Sequence, residues 1–300
     1  MTRVVFVLLP EVHLLDLAGP AQVFAGAADF GQPYTLDYVA EWPQVRSAEG
    51  LPLVARTDWP VLGRDDLIMV PGWRGSVLRG GPVLHASAVE RLRAHHAAGG
   101  TVASVCAGAD ALGQAGLLDG RRCTTHHQLQ DELAVRYPRA AVVRDVLFTT
   151  DDRVVTSAGI ASGIDLALHL LAARHGPALA ARVAREMVVY ARRNGDEPQA
   201  SAMLRHRSHL DDTVHRVQSL IDTHYAEPLP LSRLAAHAGV SARTLTRLFA
   251  KATDGLTPLR YQQALRLERA EHLISHGATV ESAAREVGFE DARMLRRLRR

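Results

Sequence analysis

The sequence predicts an α/β domain, with a parallel sheet sandwiched by helices, followed by an all-α domain made of two helix-turn-helix units. Residues 4–9 are a continuous apolar run without alternation and residues 101–105 a short, largely apolar one, each leading into a helical pattern. Such runs are expected of strands buried on both faces and joined by right-handed crossovers. Between residues 231 and 249, two short helical patterns are split by Gly239-Val240-Ser241, a glycine that can take positive φ and a serine that can cap the next helix. An ordinary helical hairpin would explain one such copy. The layout recurs over residues 280–298, where Ala283, Ala284, Val287, Gly288 and Phe289 stand for Leu234, Ala235, Ala238, Gly239 and Val240, the glycines 49 residues apart.

Three hundred residues with 47% hydrophobic content can bury two cores. No apolar run reaches the ~18 residues of a membrane span. Residues 4–9 are too few for a signal peptide and lead straight into Glu11 and Asp16. Two cysteines make no disulfide framework, and neither has zinc-ligand spacing. A cytoplasmic chain without metal, cofactor or membrane partner is therefore expected. Charge is unevenly shared: residues 201–300 hold 16 Lys+Arg against 11 Asp+Glu, and residues 1–200 hold 19 against 21. The basic third carries the repeated turn, the sign that neutralises phosphates. Solvated arginine-rich helices would look similar, and Lys251 as the single lysine points partly to coding bias.

In chain order, residues 3–9 read as a strand, 14–28 as a helix and 34–40 as a second strand. A less regular patch includes residues 51–54, and 66–70 form a short buried strand ending at Pro71-Gly72. Residues 83–98 have helical spacing, stopped by Gly99-Gly100. The strand at 101–105 then runs into Cys106-Ala107-Gly108 and a helix through Ala115. A cysteine at that junction sits in a strained turn, as in a nucleophile elbow, where a helix dipole and nearby amides lower a thiol pKa. A buried structural cysteine fits the spacing as well. Its candidate partners, Asp16 and His126 or His127, fall at strand ends, where an open parallel sheet places its site.

Residues 128–137 are expected to be helical, 141–143, 146–149 and 154–156 short strands, and 163–174 and 178–190 two helices apolar enough for core or dimer packing. Neighbouring side chains in His95-His96 and His126-His127 should point apart, and no HExxH or paired CxxC supports a metal site. Residues 192–209 read as a polar linker in which Gly195 and Pro198 break any helix.

Several pieces together resemble the class I glutamine amidotransferase-like superfamily, its PfpI/ThiJ branch, and within it the sensor domain of GlxA-type regulators. They are Leu15-Asp16-Leu17-Ala18-Gly19-Pro20, Pro71-Gly72, Ser104-Val105-Cys106-Ala107-Gly108-Ala109, Gly116-Leu117-Leu118-Asp119-Gly120-Arg121-Arg122 with Thr124-Thr125-His126, and Thr156-Ser157-Ala158-Gly159-Ile160. The resemblance implies a flavodoxin-like fold with the cysteine on an elbow beside an acidic residue, and a ligand-binding or reactive set of Asp16, Gly72, Cys106, Ala107 and His126. The chain departs from the hydrolytic members. Their histidine directly after the cysteine is here Ala107, and for the later His-Glu pair of amidotransferases the 159–171 helix offers only His169.

Residues 212–300 resemble the AraC/XylS DNA-binding domain. Besides the two turns, the match includes Thr257-Pro258, Tyr261, Arg266-Leu267-Glu268, Ala270 and Leu273-Ile274 on a long connecting helix. The resemblance implies recognition helices entering successive major grooves about 34 Å apart. It also implies a double-stranded DNA interface of Ser241, Arg243, Thr246 and Arg247 in the first unit and Arg293, Arg296 and Arg297 in the second. Arg299 stands where the first unit has Phe249, and the family's further turn with Gly, Pro and Tyr does not follow, so either the sequence stops short of the family's end or the second unit is less firmly anchored.

The domains expected are 1–191, a linker at 192–210, and 211–300. The expected function is a homodimeric, sequence-specific transcriptional regulator whose first domain senses a small molecule. The opposing reading is a cysteine-dependent enzyme of the same superfamily, isonitrile hydratase-like or glyoxalase-like, using Cys106 and Asp16.

Overall fold

The computed structural model describes residues 2–275 and 277–299 apart from 76, 77, 79, 82 and 190–192. It divides into two compact units, Met1–Gln199 and Ala200–Arg300. In the first, β1 (Thr2–Val7), α1 (Leu14–Gly26), β2 (Tyr34–Val39), the hairpin β3 (Gln44–Arg46) and β4 (Pro52–Val54), β5 (Leu67–Val70), α2 (Ala86–Ala97) and β6 (Thr101–Val105) precede the elbow. After it come α3 (Ala109–Gln114), β7 (Arg122–Cys123), α4 (Gln130–Arg136), β8 (Ala141–Val142), β9 (Phe148–Asp151), β10 (Val154–Ser157), α5 (Ser162–His175) and α6 (Pro177–Glu186).

The central sheet has the order β2-β1-β5-β6-β10-β9. Its first five strands are parallel, with Val4 opposite both Leu36 and Leu67, and Thr156 opposite Ser104. Helices α1, α5 and α6 pack together as one layer, and α2 with α3 as another. All four residues of β5 and β10 are buried, which explains why these strands carry no polar alternation. The sheet is mixed rather than wholly parallel: β9 turns back antiparallel onto β10, pairing Phe148 with Ser157, so this strand lies later than 146–149. The irregular patch contains the β3–β4 pair, and β7 and β8 form a short parallel ladder of their own. The helix expected at 83–98 starts at Ala86, while Val83 and Leu84 donate their N–H groups to the Gln114 side chain. The expected end of the last helix of this domain, at 190, lies outside the described residues.

The stretch read as a linker divides between the two units; Arg192 lies outside the described residues. Leu147 donates to Gly195 and Glu197 carbonyls, and Arg193 pairs with the buried Asp165 at 2.6 Å, which ties residues 193–199 to the first unit. Past Gln199 a short helix α7 (Ala202–Arg205) belongs to the second unit, where Ala202 is buried and its N–H bonds the Glu268 carboxylate. Part of the polar sequence here is used to fasten the chain to each unit, while Asn194, Asp196 and Pro198 stay exposed.

The second unit continues with α8 (Asp212–His224), α9 (Leu231–Ala238), α10 (Ala242–Ala252), α11 (Pro258–Ser275), α12 (Val280–Glu286) and α13 (Ala292–Leu298). Gly239 and Gly288 have φ of 68° and 84°, the left-handed conformation that glycine takes without steric cost. Ser241 and Asp291 then cap the following helices, accepting N–H bonds from Thr244 at 3.1 Å and Met294 at 3.0 Å. Two cores result. One gathers Val217, Leu234, Leu245, Phe249 and Tyr261, the other Ala270, Ala283, Val287, Phe289 and Leu295, and α11 contributes to both. No helix among the described residues is long and apolar enough to cross a membrane.

Candidate functional site

Strand β6 delivers Cys106 into the turn at φ 55°, a left-handed conformation that costs a non-glycine residue about 1–3 kcal/mol and persists only where the surroundings hold it. Two backbone positions hold it here. A Cβ on Gly72, at the end of β5, would come 2.6 Å from Asp16 Oδ2 and 2.7 Å from Cys106 Cβ. One on Gly159, after β10, would come 2.2 Å from Cys106 Cβ. From a third side Thr125 donates its hydroxyl to the Cys106 carbonyl at 2.8 Å. Only residues without a side chain allow three strand ends to close on the elbow this tightly.

Asp16, in the first turn of α1, is wholly buried. Its Oδ1 accepts the Ile160 N–H at 2.6 Å from a residue itself at φ 51°. Its Oδ2 faces Gly72 and the Cys106 side chain but completes no well-aligned hydrogen bond. Burial pushes the carboxyl up to about 6, against the Ile160 N–H and the charge of His13. The thiol beside it goes up as well, far above its ordinary value, first by burial and then by the Asp16 charge, with the Ala107 N–H opposing. This corrects the expectation of an activated thiolate. The helix behind the elbow has six residues, and its dipole does not outweigh desolvation and an adjacent acid. Burial alone raises Cys123 to about 11. Above pH ~6 the pair therefore holds its negative charge on Asp16 and its proton on sulfur.

His126 is half-buried at the start of a 3-10 turn, where its Nδ1 accepts the Gln128 N–H at 3.4 Å. Burial, then His127 and His13, lower its pKa. The rings of His126 and His127 do not point apart as expected but lie 4.2 Å between centroids, because the turn replaces a regular helix or strand. Among the described residues no group of three or more His, Cys, Asp or Glu is arranged to hold a metal. His169 packs on the Phe148 ring at 4.9 Å. The sequence reading brought Asp16, Gly72, Cys106, Ala107 and His126 forward but missed Gly159, Ile160, Thr125, His13 and its partner Glu49, 3.3 Å away. The stretch Ser157-Ala158-Gly159-Ile160 was visible as a motif, yet its backbone role, an N–H for Asp16 and a close approach to Cys106, leaves no trace in side-chain chemistry.

Volume and chemistry part company. A groove of about 620 Å³ lies on the second unit, between α8 and α9, lined by His215, Arg216, Ser219 and His237 among others. At the elbow the thiol is 5% exposed. The groove is open, whereas the strained cysteine and the buried acid lie at the strand ends.

On the second unit, Arg243 and Arg247 are exposed and one helical turn apart on α10, and neither is held by a hydrogen bond or ion pair among the described residues. Thr246 is partly covered and its hydroxyl returns to the Ala242 carbonyl at 2.9 Å. The second helix is less open. Arg296 is held by Glu281 of α12 at 2.5 Å, Arg297 lies 2.9 Å from the Met294 sulfur, and Arg293 is exposed. Arg299, in the place of Phe249, pairs with Glu271 at 3.8 Å instead of entering the core.

Sheet order, strained cysteine elbow and buried acid define an α/β domain of the cysteine-elbow class, carried on the same chain as a paired helix-turn-helix domain. The chain belongs to the DJ-1/PfpI family, whose model matches residues 2–173, and residues 234–300 match a helix-turn-helix domain of the AraC type. It is similar to the HTH-type transcriptional regulator CdhR of Pseudomonas aeruginosa, 32% identical over 255 residues, covering 82% of this chain and 74% of the relative. It is also similar to the isonitrile hydratase of Pseudomonas putida, 37% identical over 175 residues, 55% of this chain and 68% of the relative. The crystal structure of an AraC family transcriptional regulator from Pseudomonas putida matches with a TM-score of 0.53 at 26% identity, over 62% of this chain and 100% of that one. Against other curated regulators of Pseudomonas aeruginosa, the chain spans about half their length.

Proposed function

We propose that the chain is a sequence-specific DNA-binding transcriptional regulator whose DJ-1/PfpI domain senses a small molecule at the elbow. The observation that carries this reading is the pair Arg243 and Arg247, two unpaired cations on the open face of a side-chain-capped helix. Arginine serves such a face by bonding guanine edges or phosphates. The second helix contributes through Arg293 and Arg297, with Arg296 released from Glu281 only when a phosphate competes for it. In this reading the protein acts in the cytoplasm as a homodimer, and its effector contacts Cys106, Asp16 and His126.

Against turnover at the elbow stands the thiol itself. A cysteine whose proton is retained by burial and an adjacent carboxylate is a poor resting nucleophile, although the similarity to an isonitrile hydratase keeps the enzymatic reading specific enough to test. Duplexes selected from a random pool by the full-length protein should converge on one motif, with affinity falling steeply as salt rises. Failure to enrich any sequence, together with isonitrile turnover abolished by Cys106→Ser, would overturn the regulator in favour of the enzyme.

A further inference from the structure

We propose that Gln199 is the latch through which the elbow biases the DNA-binding unit, an inference that rests on the sensor reading above. Its side chain spends both amide hydrogens on the first unit, donating to the Thr125 carbonyl at 3.0 Å and the Val146 carbonyl at 3.1 Å, while its main-chain N–H bonds Asp145 at 3.0 Å. Thr125 is the residue whose hydroxyl holds the Cys106 carbonyl. The Thr125 carbonyl also shares one rigid peptide plane with the nitrogen of His126. A ligand that moves Cys106 or His126 therefore rotates the very group to which Gln199 is fastened. Gln130 donates to the same carbonyl at 3.3 Å from within the domain, so the carbonyl keeps a partner when Gln199 lets go, which makes release inexpensive.

On the other side of the latch the chain enters the second unit within a few residues. Gln199 is the last residue of the first unit. Ala202, three residues on, is buried in the second unit's core with its N–H on Glu268 of α11. Three residues span at most about 10–11 Å when fully extended. A displacement of Gln199 is therefore passed over no more than that length of chain to Ala202 and, through its bond to Glu268, to α11, the helix that contributes to both helix-turn-helix cores. With the latch closed, residues 193–199 are part of the sensor. With it open, they lengthen the tether and uncouple the two units.

The latch is testable without knowing the effector, because a bound duplex that biases it must change how readily the buried Cys106 is reached by a small reagent. The probe is methyl methanethiosulfonate, which converts the Cys106 thiol to a mixed disulfide with release of methanesulfinate; its rate is measured by mass spectrometry with and without a duplex selected by the wild-type protein. In the wild type, saturating duplex should change the Cys106 rate about fivefold or more. In Gln199→Ala, and in Gln199→Glu, whose carboxylate faces two carbonyls, the ratio should collapse to within about twofold of one, the lower edge of measurable coupling. Affinity for the duplex should shift in these variants by no more than the wild-type coupling factor, since Gln199 acts on DNA binding only through the latch. Thr125→Val, which keeps the shape and removes the hydroxyl, should also abolish the ratio.

A Gln199→Ala protein that keeps the full duplex effect overturns the latch, as does a wild-type rate that ignores bound duplex. A second measurement separates this from failure of the regulator reading. If no duplex is bound at all, hydrogen exchange at residues 199–205 is compared before and after Cys106 modification. Faster exchange in the wild type but not in Gln199→Ala supports the latch, and unchanged exchange in the wild type refutes it.

Discussion

Replacing Asp16 by Asn should make the first unit more stable at neutral pH, an unusual outcome for a residue at the centre of a site. An ordinary aspartate ionises near 3.8, whereas Asp16, wholly buried, ionises near about 6. At about 1.4 kcal/mol for each tenfold change in proton affinity, the folded protein holds this carboxylate roughly 3 kcal/mol less well than water does. The folded state binds more protons than the unfolded chain between those two values, so stability is lost as pH rises through them and levels off above pH ~7. Asn keeps an oxygen for the Ile160 N–H and carries no charge to bury, so the variant should gain about 2–3 kcal/mol above pH ~7 and nothing below pH ~4. All three tryptophans, Trp42, Trp59 and Trp73, lie in this unit, so urea unfolding followed by their fluorescence from pH 4 to 8 reads it selectively. Equal or lower stability of Asp16→Asn at pH 8, or a wild-type curve flat across that range, would refute the buried-charge account. The variant should also blunt any effector response while leaving duplex affinity unchanged, so a stable but unresponsive protein is the signature sought.

Arg247→Ala should weaken binding to a selected duplex by about 1–3 kcal/mol with no change in the unfolding midpoint, and unaltered affinity would remove α10's open face from the interface. Arg296→Ala should cost less than Arg247→Ala in the same titration, since the wild-type side chain must first leave Glu281; the reverse order would place the second helix ahead of the first. Labelling of Cys106 should keep rising with pH beyond about 9, with no plateau near neutrality, because its thiolate is disfavoured by burial. Gly288→Ala should melt the second helix-turn-helix unit selectively: φ is 84° and the added methyl would lie 1.9 Å from the Ala226 carbonyl oxygen, a loss to be seen as collapsed exchange protection over α12 and α13.

What the sequence disclosed and what it hid divide along a physical line. The buried strands, the glycine turns and their caps were legible because apolar periodicity, positive-φ glycine and capping side chains act locally. The antiparallel turn of β9 onto β10 was not, since pairing direction depends on a partner the local pattern does not name. At the elbow the residue types and their convergence could be anticipated, but the sign of the thiol shift could not. Dipole and desolvation oppose each other, and only the packing of Gly72 and Gly159 against Cys106 reveals which is larger. The same holds for residues 193–199, where polarity alone could not distinguish a solvated tether from a segment bonded to the fold through Arg193, Gly195, Glu197 and Gln199.

Helix α11 runs for 18 residues, about 27 Å, and lends Tyr261 and Leu265 to one core and Ala270 to the other. It behaves as a gauge bar. A single residue inserted between Leu265 and Ala270 would advance the far core by about 1.5 Å and swing it by about 100°, so that in the proposed reading α13 would no longer face the side of a duplex that α10 meets. The distance between the two reading heads can thus change only in steps close to whole helical turns. Divergence in what this chain reads is accordingly expected in the side chains at positions 243, 247, 293 and 297, while the length of the bar stays fixed.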